Sequence, residues 1–229
     1  MVIGILQPGY LPWLGFFEQL YRSDLFVIYD DVQYDKQGWR NRNRIKTVNG
    51  VQWLTVPVRH ASAEHQLILE VRIDNRLNWR KKHLETIRQS YVRAHFFEKY
   101  FAIFEEAYSR DWEYLIDLDL YFIEKLAHAL GILEKPLIRS SALDIKGGRI
   151  DRLIKICNYF NAATFYEGAA GSNYIDQEEF IKKGITVVFQ DYVHPVYPQM
   201  HGGFIPYLSL TDLLFNCGDQ SLEILLHNH

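Results

Sequence analysis

Apolar residues open the chain in an unbroken run, 2–6, that stops at Pro8 and Gly9. A short run without alternation reads as a strand covered on both faces, the kind that parallel sheets use. Pro8, Gly9 and Pro12 stiffen the next loop. Residues 13–22 then take a helical period, with Leu14, Phe17, Leu20 and Tyr21 on one face. Ser23 and Asp24 break it, and a second apolar run at 25–29 ends in Asp30 and Asp31. Strand, loop, helix, strand in that order predicts a βαβ unit with a right-handed crossover.

Beyond it the period drops to two. Arg40, Arg42, Arg44 and Lys46 alternate with Asn41, Asn43 and Ile45, so in an extended segment all four cations share a face. Asn49-Gly50 is a turn signal and 52–58 reads as a strand, which predicts a hairpin with the basic stripe as its first arm. Residues 67–73 are another β-rich run. The pattern then turns helical: 79–91, 96–108 and 112–130, the last stopped by Gly131. A strand is expected at 137–139 and a helix at 149–160. Further strands follow at 163–166 and 186–190, separated by a Gly-rich loop and a helix at 177–183. Helices at 210–215 and 222–226 close the chain, the first capped by Ser209 or Thr211.

The predicted class is α/β: a Rossmann-like, mostly parallel sheet with a helical insertion. Residues 1–78 and 136–229 form the core and 79–135 the insertion. A doubly wound sheet binds its ligand beyond the carboxyl ends of its strands. The loops that matter are therefore 7–13, 30–34, 167–174 and 191–199.

Composition narrows the partners. The 229 residues are 48% hydrophobic and 23% charged, ordinary for a globular protein, and 15% aromatic. A net charge of −3 argues against nucleic-acid binding through overall charge. No run reaches the roughly 20 apolar residues of a membrane span, and the start of the chain lacks a basic, apolar leader, so a cytoplasmic location is expected. The two cysteines, Cys157 and Cys217, form no CxxC pair and no disulfide framework.

Four like charges on one face repel unless an anion or water lies between them. In a slightly acidic chain such a stripe is a candidate anion grip, and arginine favours forked recognition of phosphate or carboxylate. An uncovered stripe is equally the protection of an edge strand. Asp30 and Asp31 end the second strand, where carboxylates hold a ribose, a metal or a substrate amine; they also pair readily with nearby arginines. The stripe and the aspartates are expected to meet in one cleft. In the first loop Gln7 offers an amide, Tyr10 and Trp13 flat faces, and the helix start backbone donors. Tyr34 closes the loop after the second strand. Gly168, Gly171, Ser172, Asn173 and Tyr174 follow a strand in a small-residue loop whose N–H groups could meet a ligand. It is neither a Walker loop nor GxGxxG. His83 lies on a helix behind Trp79, Arg80, Lys81 and Lys82, and is a candidate acid–base group. No HxxxH or HExxH spacing supports a metal, and no GxSxG supports a hydrolase triad.

Several segments together resemble the WbqC-like protein family: QPGYLPWLGFFEQ at 7–19, DDVQYDKQGWRNRNRIKT at 30–47, WLTVPV at 53–58, WRKKHLETIRQSY at 79–91, EGAAGSNYID at 167–176, and HPVYPQMHGGFIPYLSLTDLLFNCG at 194–218. They run nearly end to end. Leu6 stands where the family carries a histidine before QP, so no role of that histidine is carried over. The resemblance implies work in gene clusters for O-antigen and other surface polysaccharides, on amino sugars or nucleotide-linked sugars, by a transferase. A looser likeness is to the nucleotidyltransferase-like α/β fold. PGYLPWLG stands where that superfamily has HxGH, without its histidines, so adenylyl transfer is not implied.

The leading expectation is an enzyme that transfers an acyl or aminoacyl group to a nucleotide-linked amino sugar. Arg40, Asn41, Arg42, Arg44 and Lys46 would hold the anion, Tyr10 and Trp13 would stack a ring, and Asp30, Asp31 or His83 would accept a proton. The alternatives are a magnesium-dependent nucleotidyl or phosphoryl transferase and a non-catalytic sugar-nucleotide module. No resident cofactor is assigned. The expected partners are a small-molecule substrate, with a nucleotide sugar or activated acyl donor foremost, and other enzymes of the pathway.

Overall fold

The computed structural model describes residues 1–36, 38–59, 66–132 and 135–226. They divide into two compact units. One comprises Met1–Gln7, Gly15–Asp31 and Glu134–Val193; the other comprises Pro8–Leu14, Val32–Leu133 and His194–His229.

The first unit is a Rossmann-like α/β layer. Its strands are β1 (Val2–Leu6), β2 (Leu25–Ile28), β5 (Leu137–Arg139), β6 (Thr164–Glu167) and β7 (Thr186–Phe189). They lie in the order β5-β2-β1-β6-β7, every pair parallel. Parallel pairing needs crossovers, and α1 (Leu14–Arg22), α5 (Arg149–Tyr159) and α6 (Gln177–Ile181) supply helices along the chain. Ile3, Ile5, Val27, Phe165 and Val187 of the sheet pack with Leu153, Ile156 and Cys157 of α5 and Phe180 of α6. The uninterrupted apolar runs at 2–6 and 25–28 are the sequence trace of that double coverage. The strand order turns between β1 and β6, which is the switch point where such sheets open a crevice at their carboxyl ends.

The second unit joins a hairpin to helices. β3 (Arg42–Thr47) pairs antiparallel with β4 (Gly50–Thr55), Arg44 opposite Trp53. Gly50 at φ +94° makes the turn that Asn49-Gly50 announces. The helices are α2 (Trp79–Tyr91), α3 (Phe97–Ser109), α4 (Leu115–Ala129), α7 (Leu210–Cys217) and α8 (Ser221–Leu226). Phe97, Phe101, Phe104, Tyr91 and Phe215 form its aromatic centre. Ser209 caps α7 by accepting the Thr211 N–H. The expectation for 67–73 is not met, since it is no continuous strand. Leu67, Arg72 and Ile73 make single bridges to Gln33, Tyr114 and Val58, and Ile68–Glu70 is a 3₁₀ turn. Each residue there finds a different partner far along the chain, so no ladder can propagate. Among the described residues no helix is long and apolar enough to cross a membrane.

Candidate functional site

Two polar clusters carry the sequence-predicted residues, one in each unit. At the carboxyl end of β2, Asp30 is fully buried. Its carboxylate receives Arg139 Nε at 2.5 Å, the Ser141 N–H at 3.0 Å and Ser141 Oγ at 2.9 Å. Asp31 is bound by Arg152, whose guanidinium also stands 5.1 Å over the Tyr29 ring. Ser140 Oγ lies within bonding reach of both carboxylates. β5 delivers Arg139 and the serines, and α5 delivers Arg152. This is a nearly saturated ion cluster that ties β2 to β5 and α5.

Glu167, at the carboxyl end of β6, is different. Burial pushes its carboxyl up to about 7, opposed by hydrogen bonds from Tyr174 and the Gly168 main chain and by the charge of Arg149. Tyr174 Oη donates to it at 3.2 Å, and Arg149 sits 3.4 Å over the Tyr174 ring. A Cβ at Gly171 would overlap Glu167 Cγ, so a glycine is required to seat it. Glu167 is absent from the residues that sequence reasoning selects. The signal available was a carboxylate ending an apolar strand and opening a small-residue loop. The loop itself is a 3₁₀ turn whose Gly171 and Tyr174 N–H groups bond Gly168 and Gly171 carbonyls within it. Ser172 Oγ donates to the Ala169 carbonyl, and Asn173 is exposed. Gln7 follows β1, half-buried.

In the second unit, residues 8–14 clamp onto the first arm of the hairpin. The Tyr10 N–H donates to the Arg40 carbonyl at 2.9 Å, and Arg40 Nη1 donates to the Pro8 carbonyl at 2.8 Å. Leu11 is held at φ +46°, and Asn43 Nδ2 bonds its carbonyl at 2.7 Å. Asn41 Nδ2 likewise donates to the Val56 carbonyl. Asn41 and Asn43 are both buried, and the amide of each satisfies a main-chain oxygen.

The alternation of cations produces three environments. Arg40 is half-buried near Asp119, Asp35 and Tyr34; desolvation lowers its pKa and Asp119 opposes this most. Asp119 is fully buried on α4, and neither carboxyl oxygen has a hydrogen-bond partner among the described residues. Burial pushes it well above the usual carboxylate range, against the pull of Arg40. Tyr34 is pushed up to about 12, by burial first and then by Asp119. Lys46 is 1% exposed, and its ammonium donates to Gln199 Oε1 at 3.2 Å and to the carbonyls of Gly202 and Gly203 at 3.1 and 2.5 Å. All its protons are engaged in holding the 199–203 loop, so it offers little to an external anion.

Arg42 and Arg44 remain at the surface, on the same face as Trp53 of β4. Arg42 lies 4.8 Å from the Trp53 ring centroid, and Arg44 lies 5.0 Å from Trp39 and 5.7 Å from Trp53. The two indoles are 4.9 Å apart and each is 42% exposed. Arg44 Nη2 also donates to the Tyr207 carbonyl at 2.8 Å, and the Tyr207 ring is 5.9 Å from Trp13. This cation–aromatic lattice includes Trp39 and Trp53, which sequence reasoning did not select. The signal for Trp53 was its place opposite Arg44 across the hairpin.

Trp53 also lines a cavity of about 470 Å³ between β4 and α2, together with Trp79, Lys82 and His83. His83 Nδ1 faces Tyr10 Oη at 2.9 Å, and its ring also bonds the Thr55 main chain. A carbonyl can only accept, so the ring proton points to Thr55 and Nδ1 accepts from Tyr10, which is bonded in turn to Tyr108. Burial lowers His83 to about 4. The imidazole is neutral near pH 7, with both nitrogens engaged. Tyr10 is fully buried, edge-on to Phe122, and its ring belongs to the core. Burial pushes the Cys157 and Cys217 thiols up to about 12 and about 11. Among the described residues no group of three or more His, Cys, Asp or Glu side chains could hold a metal.

The sequence pattern of the WbqC-like protein family matches residues 7–224. Over 225 residues, 97% of this chain and 96% of the relative, the sequence is 35% identical to the uncharacterized protein Rv1507c of Mycobacterium tuberculosis (strain ATCC 25618 / H37Rv). No solved structure matches the chain.

Proposed function

The chain belongs to the WbqC-like protein family, and from that membership we propose that it is a cytoplasmic transferase of bacterial surface-polysaccharide (O-antigen) synthesis that moves an acyl- or aminoacyl-type group onto a nucleotide-linked amino sugar. The observation that carries the reading is the lattice of Arg42 and Arg44 on the half-exposed indoles of Trp39 and Trp53. Indoles hold the guanidiniums in place at low entropic cost, and the planar fork of an arginine matches a phosphate. Exposed aromatic faces beside phosphate donors suit a nucleotide, which joins a flat base to a diphosphate.

Acyl transfer to an amine also needs a proton acceptor. His83 is too weak a base for this, and Asp30 and Asp31 are held by Arg139 and Arg152, so the acceptor in this reading is solvent.

The test is mass spectrometry of UDP-amino sugars incubated with the protein and a panel of acyl-CoA and aminoacyl donors. The expected result is a mass gain on the sugar that falls about tenfold or more in Arg44→Ala. No mass gain with any donor, combined with unchanged UDP affinity in Arg44→Ala, contradicts the reading.

A further inference from the structure

The cavity between β4 and α2 shares Trp53 with the lattice, so the two adjoin at that indole. Two indoles, Trp53 and Trp79, supply flat apolar walls, and Asn78 and Thr86 supply polar groups at the lining. That combination suits a pyranose, which has an apolar face and a hydroxylated rim. At about 470 Å³ the space exceeds one sugar ring.

The charge of the lining is informative. Among the described residues no aspartate or glutamate lines the cavity, and the single charged residue of the lining is Lys82, which is exposed and makes no ion pair with a described residue. The neighbouring His83 is neutral, with its nitrogens turned to Tyr10 and Thr55. A protonated amine entering this space meets a like charge and no counter-ion, which favours its neutral form.

We infer that this cavity is the sugar subsite of the same nucleotide-linked substrate, and that it binds an amino sugar with its amine deprotonated, Lys82 providing the repulsion. The inference rests on the lattice being the nucleotide grip. The step balances simply: the sugar ammonium enters, its proton leaves to solvent, and the neutral amine stays with its lone pair free. That is the form able to attack an acyl carbon. Lys82 is a positioning residue in this scheme, since it acts through charge.

Calorimetric titration of the full chain at pH 7, in buffers of different ionisation enthalpy, reads this directly. UDP-glucosamine, UDP-N-acetylglucosamine and UDP are the probes. UDP-glucosamine binding is expected to release a proton, whereas the N-acetyl sugar, whose amide does not titrate, releases none. Lys82→Met should abolish most of the release while leaving UDP affinity within about twofold, because Lys82 lines the cavity and the phosphates rest on Arg42 and Arg44, which do not line it. Thr86→Trp, which fills the cavity, should remove the gain in affinity of UDP-glucosamine over UDP and leave UDP binding intact. Binding of UDP-glucosamine without proton release, or release that persists in Lys82→Met, overturns the inference and leaves the lattice standing. Failure of UDP itself to bind overturns both.

Discussion

Asp30 and Asp31 after β2, and Arg42 and Arg44 on β3, are both charged pairs at candidate ligand positions, yet they are held in opposite ways. The aspartates are buried or nearly so, and arginines from β5 and α5, two serines and a main-chain N–H close around them. The arginines are half-exposed on indole faces, and their contacts include the Gly38 carbonyl for Arg42 and the Tyr207 carbonyl for Arg44. A saturated cluster holds the fold together, and a new ligand would have to break it. A cation resting on an aromatic face is positioned without being neutralised. From that contrast we propose structure for the first pair and recognition for the second.

The largest effect expected from that contrast is on stability. Asp30→Ala leaves Arg139, Ser141 and Ser140 facing an emptied, buried site, and should cost about 4 kcal/mol, the range for breaking a buried ion pair. Urea denaturation measures it; a loss below about 1 kcal/mol would place Asp30 outside the structural class.

Next in size is the pH dependence, where His83 and Glu167 pull in opposite directions. The folded pKa of His83 is lowered to about 4, so its contribution is fully present above pH 6.5 and is lost as pH falls toward 4. The span is on the order of 3 kcal/mol. Glu167 is raised to about 7, so the folded state keeps a proton the unfolded chain gives up, and stability falls as pH rises from 4.5 through 7. Denaturation between pH 4 and 7.5 should show the stability difference between wild type and His83→Gln growing with pH, and that between wild type and Glu167→Gln shrinking. Parallel curves for either variant would remove the corresponding burial argument.

The smallest stability effect is expected at the lattice. Arg44→Ala should change unfolding free energy by no more than about 1 kcal/mol, since cation–aromatic contacts at exposed sites are weak. A cost like that of Asp30→Ala would mean that the lattice is structural too.

How much of this was legible in the sequence follows from the range of the interactions. Apolar runs at 2–6 and 25–28, the Asn49-Gly50 turn and the helical period at 79–91 are local, and each element stands where its pattern predicts. The parallel order also follows from strand–helix alternation. Alternation alone put four cations on one face, but could not see that Lys46 meets Gln199, Gly202 and Gly203 some 150 residues later. Nor could it show Asp30 closed by residues about 110 positions away. Tyr10 and Trp13 read alike as flat faces; only the packing of Tyr10 with Phe122, Tyr108 and His83 makes it core. Trp39 and Trp53 became visible once the hairpin register set an indole opposite Arg44. Glu167 was in view as a loop boundary, and burial alone, which no local pattern encodes, gives it a proton to exchange near neutrality.

Titration of UDP into wild type and Arg42→Ala, with Tm followed in parallel, addresses the recognition role of the lattice most simply. Loss of one charge-assisted contact to phosphate should raise Kd about tenfold or more, corresponding to about 1.5 to 3 kcal/mol, with Tm unchanged. Equal Kd in the two folded proteins would show that the guanidiniums on Trp39 and Trp53 do not hold a nucleotide.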